Sequence, residues 1–137
     1  MKNRGEVNIA VANYFNNNFC NFSSIQRRDV NIIPSKDDLK HIIIGRWYYG
    51  LYLLAKEKLG LTCKINHRSF GIEKGIWERL YHYAKNKTTT PYNFKQYGER
   101  LFLLRNKYEY NKLKVTDNEF NIAKNIYEEM YEKINKL

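Results

Sequence analysis

The chain has little of what builds a disulfide-linked, membrane-spanning or β-rich protein. It contains two cysteines and two prolines in 137 residues. Cys20 and Cys63 stand far apart without a partner at metal-ligand spacing, and the three histidines do not fall beside them. The longest apolar candidate, 47–55, is much shorter than the roughly 20 residues that cross a bilayer. No Asn-Gly or Asp-Gly turn occurs. The sequence therefore predicts no structural zinc or other cofactor, no membrane span and almost no strand.

Length and the N-terminal residues indicate one domain, spanning 1–137, in the cytoplasm. The chain has the common size of a single domain and is long enough to bury a core. Residues 1–7 carry Lys2 and Arg4, but no apolar block with a cleavage site follows them, so no export signal is expected.

Positive charge is concentrated in the middle of the chain. The net charge is +10, and residues 61–115 hold twelve Lys and Arg against four acids, whereas residues 116–137 hold three against five. Such a segment attracts phosphate polyanions, and some of the twelve tyrosines can stack on bases. A solvated surface explains part of the same charge. The balance favours nucleic-acid binding, with Arg27 and Arg28 as candidate phosphate contacts in an early loop.

Apolar residues at three- and four-residue steps predict an all-α fold of about five helices. We expect a first helix from about Glu6 to Phe19 and a connecting loop over 20–34. A long central helix then begins with Ser35 as its N-cap and runs to about Leu59. It stops at Gly60, a residue that tolerates the left-handed conformation of a helix C-terminus.

Three further helices are expected after Gly60. Asn66 or Ser69 can cap the third, which carries the apolar residues Phe70, Ile72, Ile76, Trp77 and Leu80. The fourth begins after Pro91. Thr116, with Glu119 three residues on, predicts a capping box at the start of the fifth.

Two segments of the chain resemble signatures of one family. Residues 45–56 contain an arginine, a Tyr-Tyr pair and alternating small and apolar residues, and His67 and Phe70 follow. Residues 103–110 read Leu-Leu-Arg-Asn-Lys-Tyr-Glu-Tyr, which is similar to an Arg-polar-x-x-acid-Tyr motif. In this order and spacing they resemble the HEPN family, the higher eukaryote and prokaryote nucleotide-binding domains, over roughly residues 6–135.

The resemblance implies an up-and-down bundle that forms a homodimer, with the ends of the two fourth helices facing each other across a cleft. Many HEPN domains are metal-independent ribonucleases of toxin–antitoxin, antiviral defence and CRISPR systems, with an arginine, a polar residue and a histidine as signature. Arg105 and Asn106 match the first two positions, but Tyr110 stands where the histidine is expected. A phenol of ordinary pKa, about 10, is a poor base at neutral pH, so catalysis is expected to be handicapped.

By this resemblance the candidate catalytic residues are Arg105, Asn106 and Tyr110, with the arginine holding the charge that develops on the phosphorus. The candidate RNA contacts are Arg46, His67, Arg68, Lys107, Arg27 and Arg28. Structural alternatives stand beside these roles. Arg105 can pair with Glu109, Arg46 can form a half-buried ion pair with Glu109 or another acid, and His67 can help to cap the third helix.

The leading hypothesis is an RNA-binding HEPN-type homodimer of a prokaryotic defence or toxin–antitoxin system. Whether it is also a metal-independent endoribonuclease is left open, because the motif histidine is missing. The alternative is a non-catalytic accessory subunit that docks on a nucleotidyltransferase or a CRISPR-type effector. A third hypothesis is a binder of small nucleotides that holds a phosphate with Arg105.

Overall fold

Five helices make up the part of the chain that a computed structural model describes, residues 4–18, 36–109 and 114–137. They are α1 (Arg4–Asn17), α2 (Lys36–Lys58), α3 (Ile76–Lys85), α4 (Phe94–Glu109) and α5 (Asp117–Asn135). The all-α class is confirmed, the described residues contain five helices as predicted, and the likeness to HEPN domains stays a prediction. Within these ranges no helix combines the length and apolarity that crossing a membrane requires. The predicted cap Ser35 and the predicted site residues Arg27, Arg28 and Tyr110 lie outside the described residues.

Helix α2 ends where its sequence predicts. Gly60 has φ +67°. Its N–H donates to the carbonyl of Glu57 at 3.0 Å, and the N–H of Leu61 donates to the carbonyl of Lys56 at 2.9 Å. These two bonds form a Schellman motif, which satisfies carbonyls that the helix itself leaves open. The chain therefore turns sharply into the segment 61–75.

Helix α2 is the centre of the bundle and contacts each of the other four helices. It packs most closely on α1, because a Cβ atom added to Gly50 would lie 2.8 Å from both the carbonyl oxygen of Gly5 and Cγ1 of Ile9. One turn earlier on α2, the indole Nε1 of Trp47 donates to Asn13 Oδ1 at 3.1 Å. The two helices therefore run antiparallel.

Trp47 also joins α2 to α5. Its ring is fully buried and stacks on Tyr127 with a centroid separation of 4.8 Å and an interplanar angle of 6°. Asn13 donates from Nδ2 to the Tyr127 hydroxyl at 3.2 Å, so the buried polar atoms of three helices satisfy one another. This half of the core holds α1, α2 and α5 together.

Helix α3 begins later than expected, at Ile76 with Gly75 as its N-cap, and no side chain caps it. Phe70 and Ile72 are therefore not helical core residues, and both are exposed. The reason is a tight turn in which Phe70 and Glu73 form an antiparallel bridge, while Gly71 has φ +56°, a conformation unsuited to a helix. Ser69 reaches the cap residue only through its hydroxyl, which accepts the Gly75 N–H at 3.2 Å.

The predicted capping box at α5 is present. The Thr116 hydroxyl accepts the Glu119 N–H at 3.1 Å. The first turn of α5 is also tied to α2, because the buried Lys40 ammonium bonds to Asp117. A cap and an ion pair thus hold the start of α5 on the central helix.

Candidate functional site

Two of the predicted site residues, Arg105 and His67, come together although they belong to different parts of the chain. Arg105 lies near the end of α4, and His67 lies in the segment 61–75 between α2 and α3. The ring of Tyr48, from the middle of α2, contacts both. We call these three residues, with the rings around His67, the Tyr48 site.

Tyr48 is fully buried, and its hydroxyl links two other side chains. The hydroxyl accepts the indole N–H of Trp77 at 3.2 Å and lies 2.6 Å from Nδ1 of His67. An indole nitrogen only donates, and Nδ1 of His67 is the acceptor that the described residues offer to the phenol's own hydrogen, so we assign Nδ1 as the acceptor. The hydrogen bonds therefore run from Trp77 to Tyr48 to His67. Burial raises the pKa of Tyr48, so the phenol keeps its proton.

Aromatic rings surround the His67 imidazole. Phe102 stacks on it with a centroid separation of 5.0 Å and an interplanar angle of 5°, and Tyr52 lies 4.5 Å away at 33°. Burial among these groups, then the charge of Arg105 and then that of Lys64, lowers the pKa of His67 to about 4. The imidazole is therefore neutral at pH 7. Because Nδ1 accepts from Tyr48, the hydrogen of the neutral ring resides on Nε2.

The guanidinium of Arg105 lies over the Tyr48 ring, with Cζ 5.3 Å from the ring centroid. This cation–π contact holds the positive charge of Arg105 at the Tyr48 ring. The half-buried side chain is also close enough to His67 to lower the pKa of the imidazole. The Tyr48 site thus brings together a fixed cation and a neutral N–H donor.

Hydrogen bonds fix the backbone on both sides of His67. The Tyr52 hydroxyl donates to the carbonyl of Ile65 at 2.9 Å and accepts the Ile65 N–H at 3.3 Å. After His67, the N–H of Ser69 donates to Glu99 Oε1 on α4 at 3.3 Å. The imidazole is consequently held by a segment anchored to α2 and to α4.

Asn106, the second predicted catalytic residue, follows Arg105 on α4. Its Oδ1 atom is buried and has no hydrogen-bond partner among the residues that the structure describes. A buried amide oxygen without a donor is costly. The catalytic role predicted for Asn106 stays a prediction.

The other predicted contacts within the described residues, Arg46, Arg68 and Lys107, do not converge on the Tyr48 site. Arg46 is exposed, and its Nη1 donates to Asn8 Oδ1 on α1 at 2.8 Å, so the expected half-buried ion pair with an acid is wrong. Positions two apart on a helix point in nearly opposite directions, which turns Arg46 away from Tyr48. Lys107 pairs with Glu119 of α5 at 2.9 Å, a structural contact between helices. Arg68 is exposed next to His67.

Four residues of the Tyr48 site were not among the predicted site residues: Tyr48, Tyr52, Trp77 and Phe102. All four contact His67 or its hydrogen-bond partner. The helical spacings were a usable signal, since Tyr48 and Tyr52 are four apart and Phe102 and Arg105 are three apart, which puts each pair on one face. Nothing local in the sequence indicates that these faces meet at His67.

A cleft of about 400 Å³ lies at the other end of the bundle. Its lining includes Lys87, Tyr92, Phe94, Lys133 and Lys136, from the α3–α4 connection and the last turns of α5. None of the predicted site residues within the described ranges lines it. Helix α4 begins at this cleft and carries Arg105 about 16 Å further along, so the cleft and the Tyr48 site are separate.

The fold and the Tyr48 site are the basis for proposing a function, because known proteins supply none. No protein family, curated protein or solved structure matches this chain. The family resemblance of the two sequence segments therefore stays a prediction.

Proposed function

We propose that this chain is an RNA-binding protein that holds a phosphodiester between the guanidinium of Arg105 and the imidazole N–H of His67. The observation that supports the proposal is that both side chains contact Tyr48, Arg105 at the ring and His67 at the hydroxyl, and that the charge of Arg105 lowers the pKa of His67. A guanidinium supplies charge and paired donors, and a neutral imidazole supplies one more donor at a fixed position. Phosphate oxygens accept both kinds of hydrogen bond.

Charge supports a polyanion as the ligand. Both residues lie within 61–115, where twelve Lys and Arg stand against four acids. Such a field attracts nucleic acid from a distance and makes its affinity depend on salt. The choice of RNA rather than DNA rests on the resemblance of segments 45–56 and 103–110 to HEPN domains.

The tautomer of His67 favours binding over cleavage. Metal-free cleavage of RNA requires a base that takes the 2′-hydroxyl proton. The lone pair of His67 lies on Nδ1 and accepts the Tyr48 hydroxyl, so Nε2 carries a hydrogen. Reversing the tautomer leaves the buried phenol hydrogen without its acceptor, which costs about 1–3 kcal/mol. A binding role requires no such change.

RNA cleavage is the second candidate function, and the position of His67 favours it. The residue places an imidazole beside Arg105, which is what the missing motif histidine would do. Its pKa of about 4 also means that the ring is unprotonated at pH 7. A base of this kind works only if the imidazole changes tautomer when RNA binds.

The binding proposal is tested by fluorescence anisotropy with labelled RNA. Replacing Arg105 with alanine removes a charge-assisted contact worth about 1.5–3 kcal/mol and should weaken binding by about 10- to 100-fold. Arg105→Lys keeps the charge but not the planar pair of donors, and should recover only part of the affinity. Arg46→Ala is the matched control, because it removes one exposed arginine on the other side of α2.

Equal losses in Arg105→Ala and Arg46→Ala would show that only net charge matters and would refute the site. Cleavage is followed on a gel with the same RNA in the presence of a chelator. The second candidate predicts products with the wild-type chain and none with His67→Gln. Intact RNA with the wild-type chain eliminates cleavage and leaves the binding proposal standing.

A further inference from the structure

The turn before α3 presents two large apolar side chains to solvent. Phe70 is 81% exposed and Ile72 is 100% exposed, although both belong to residue types that usually lie in the core. They stand at the tip of the bridge between Phe70 and Glu73. We call this pair the apolar tip.

The apolar tip is held in place by hydrogen bonds. Phe70 and Glu73 exchange backbone bonds of 2.8 and 2.9 Å, and Asn66 Nδ2 donates to Glu73 Oε2 at 3.0 Å. Behind the tip, the Ser69 hydroxyl bonds to Glu78 on α3. A turn fixed at both ends keeps the orientation of its side chains, so the exposure of the apolar tip is built into the fold.

Positive charge surrounds the apolar tip. Lys64, Arg68, Lys74 and Arg79 are all exposed within this segment and the first turn of α3. Two acids lie in the same stretch, Glu73 bonded to Asn66 and Glu78 bonded to Ser69 and near Lys95, so four cations stand against two carboxylates. The surroundings of the apolar tip therefore suit an anionic partner.

We infer that the apolar tip selects single-stranded RNA, with the Phe70 ring stacking on an unpaired base next to the phosphate held at the Tyr48 site. The inference rests on the proposed function, and it adds the class of RNA. Phe70 lies three residues from His67, so their Cα atoms are at most about 10 Å apart. A short run of nucleotides covers that distance. Bases of a duplex already stack on each other, whereas an unpaired base offers its face to an aromatic side chain.

The size of the apolar tip distinguishes a base from other partners. A stable protein interface buries about 800 Å² on each side, far more than two side chains provide. Attachment to a membrane through two side chains would depend on the surrounding cations as a second anchor, and binding to anionic vesicles tests that alternative. Stacking of one base requires only one exposed ring with cations beside it, and that is what Phe70 and its neighbours supply.

The test compares a labelled RNA single strand of about 12 nucleotides with the same strand annealed to its complement. This length is within the site sizes of proteins that bind single strands without sequence preference. Phe70→Ala should weaken single-strand binding by about 5- to 100-fold, the loss expected when a stacked ring is removed. Duplex affinity should be unchanged. Phe70→Trp keeps a ring and should preserve single-strand binding. Because Phe70 lies outside the core, circular dichroism should show the same helix content in every variant.

Ile72→Ser is the matched control, since it removes the apolar neighbour of the ring but no ring. If it weakens binding as much as Phe70→Ala, the apolar tip acts by burial and stacking is refuted. Loss in Arg105→Ala with none in Phe70→Ala refutes the inference and leaves the proposed function intact. A wild-type chain that binds neither RNA refutes both. Pelleting with phosphatidylserine vesicles that is lost in Phe70→Ala would identify a membrane contact and overturn the inference.

Discussion

Lowering the pH from 7 to 5 is expected to destabilise the fold through His67. The folded-state pKa of this imidazole is about 4, against an ordinary value of 6.5, because the ring is buried beside Arg105. Between these two values the unfolded chain binds a proton that the folded chain does not. The contribution of His67 to the free energy of unfolding is therefore fully present above pH 6.5 and is lost as the pH falls toward 4.

The magnitude follows from the two pKa values. Proton linkage gives a loss of about 2 kcal/mol in the free energy of unfolding between pH 7 and pH 5. His67 is only half-buried, so solvent screening reduces this to roughly 1 kcal/mol. A change of that size moves a urea midpoint measurably in a small domain.

Urea unfolding at several pH values between 7 and 5, followed by tryptophan fluorescence, measures the effect in the wild-type chain and in His67→Gln. The variant loses a bond to Tyr48 and starts lower, but its stability should fall less as the pH falls. Glu78 and Glu132 have lowered pKa values and stay ionised over this range, so they add little to the slope. Equal slopes in the two proteins would show that His67 is not the residue that responds.

Three further substitutions test the packing of the bundle by urea unfolding at pH 7. Tyr48→Phe leaves the buried indole N–H of Trp77 without its acceptor and should cost about 1–3 kcal/mol; no loss would contradict the hydrogen-bond chain. Gly50→Ala places a Cβ atom 2.8 Å from Ile9 Cγ1 and should cost about 1–3 kcal/mol by forcing α1 off α2, so an unchanged midpoint would mean that the helices are further apart. Thr116→Ala removes the cap of α5 and should cost about 1 kcal/mol, with the loss absent in Thr116→Ser.

Helix ends that depend on local chemistry could be predicted from the sequence. Gly60 ends α2 because its own backbone adopts a positive φ, and Thr116 starts α5 because its own hydroxyl reaches an amide three residues on. Neither signal requires knowledge of a distant residue. The number of helices follows from the same local patterns.

The start of α3 could not be predicted in this way. Phe70 and Ile72 were assigned to that helix because they are apolar and precede Ile76. Their position is decided by a bridge across the turn and by bonds from Ser69 to α3 and α4, which apolar spacing does not encode. An apolar residue whose role is outside the core has no distinct signature in a single sequence.

Only part of the candidate site could be predicted, because the rest depends on contacts between distant segments of the chain. Arg105 and His67 were singled out by a family resemblance, but their contact through Tyr48 depends on how α2, α4 and the segment 61–75 pack. Arg46 was expected in a half-buried ion pair because its neighbours are apolar. It instead lies on the exposed side of α2 beside Asn8, since a helix in the centre of a bundle still has one side facing solvent.

The hydrogen bond from Trp77 to Tyr48 makes the fluorescence of Trp77 a probe of the site. Indole emission depends on the hydrogen bond of the ring nitrogen, and here that nitrogen is linked to His67 through the Tyr48 hydroxyl. An anion that accepts the imidazole N–H would polarise the hydrogen bonds from His67 through Tyr48 to Trp77 and change the emission of an indole that does not contact the ligand. Trp47, bonded to Asn13 in the opposite half of the core, supplies a steady background. Occupancy can thus be followed in unlabelled protein, with Trp47→Phe leaving a single emitter.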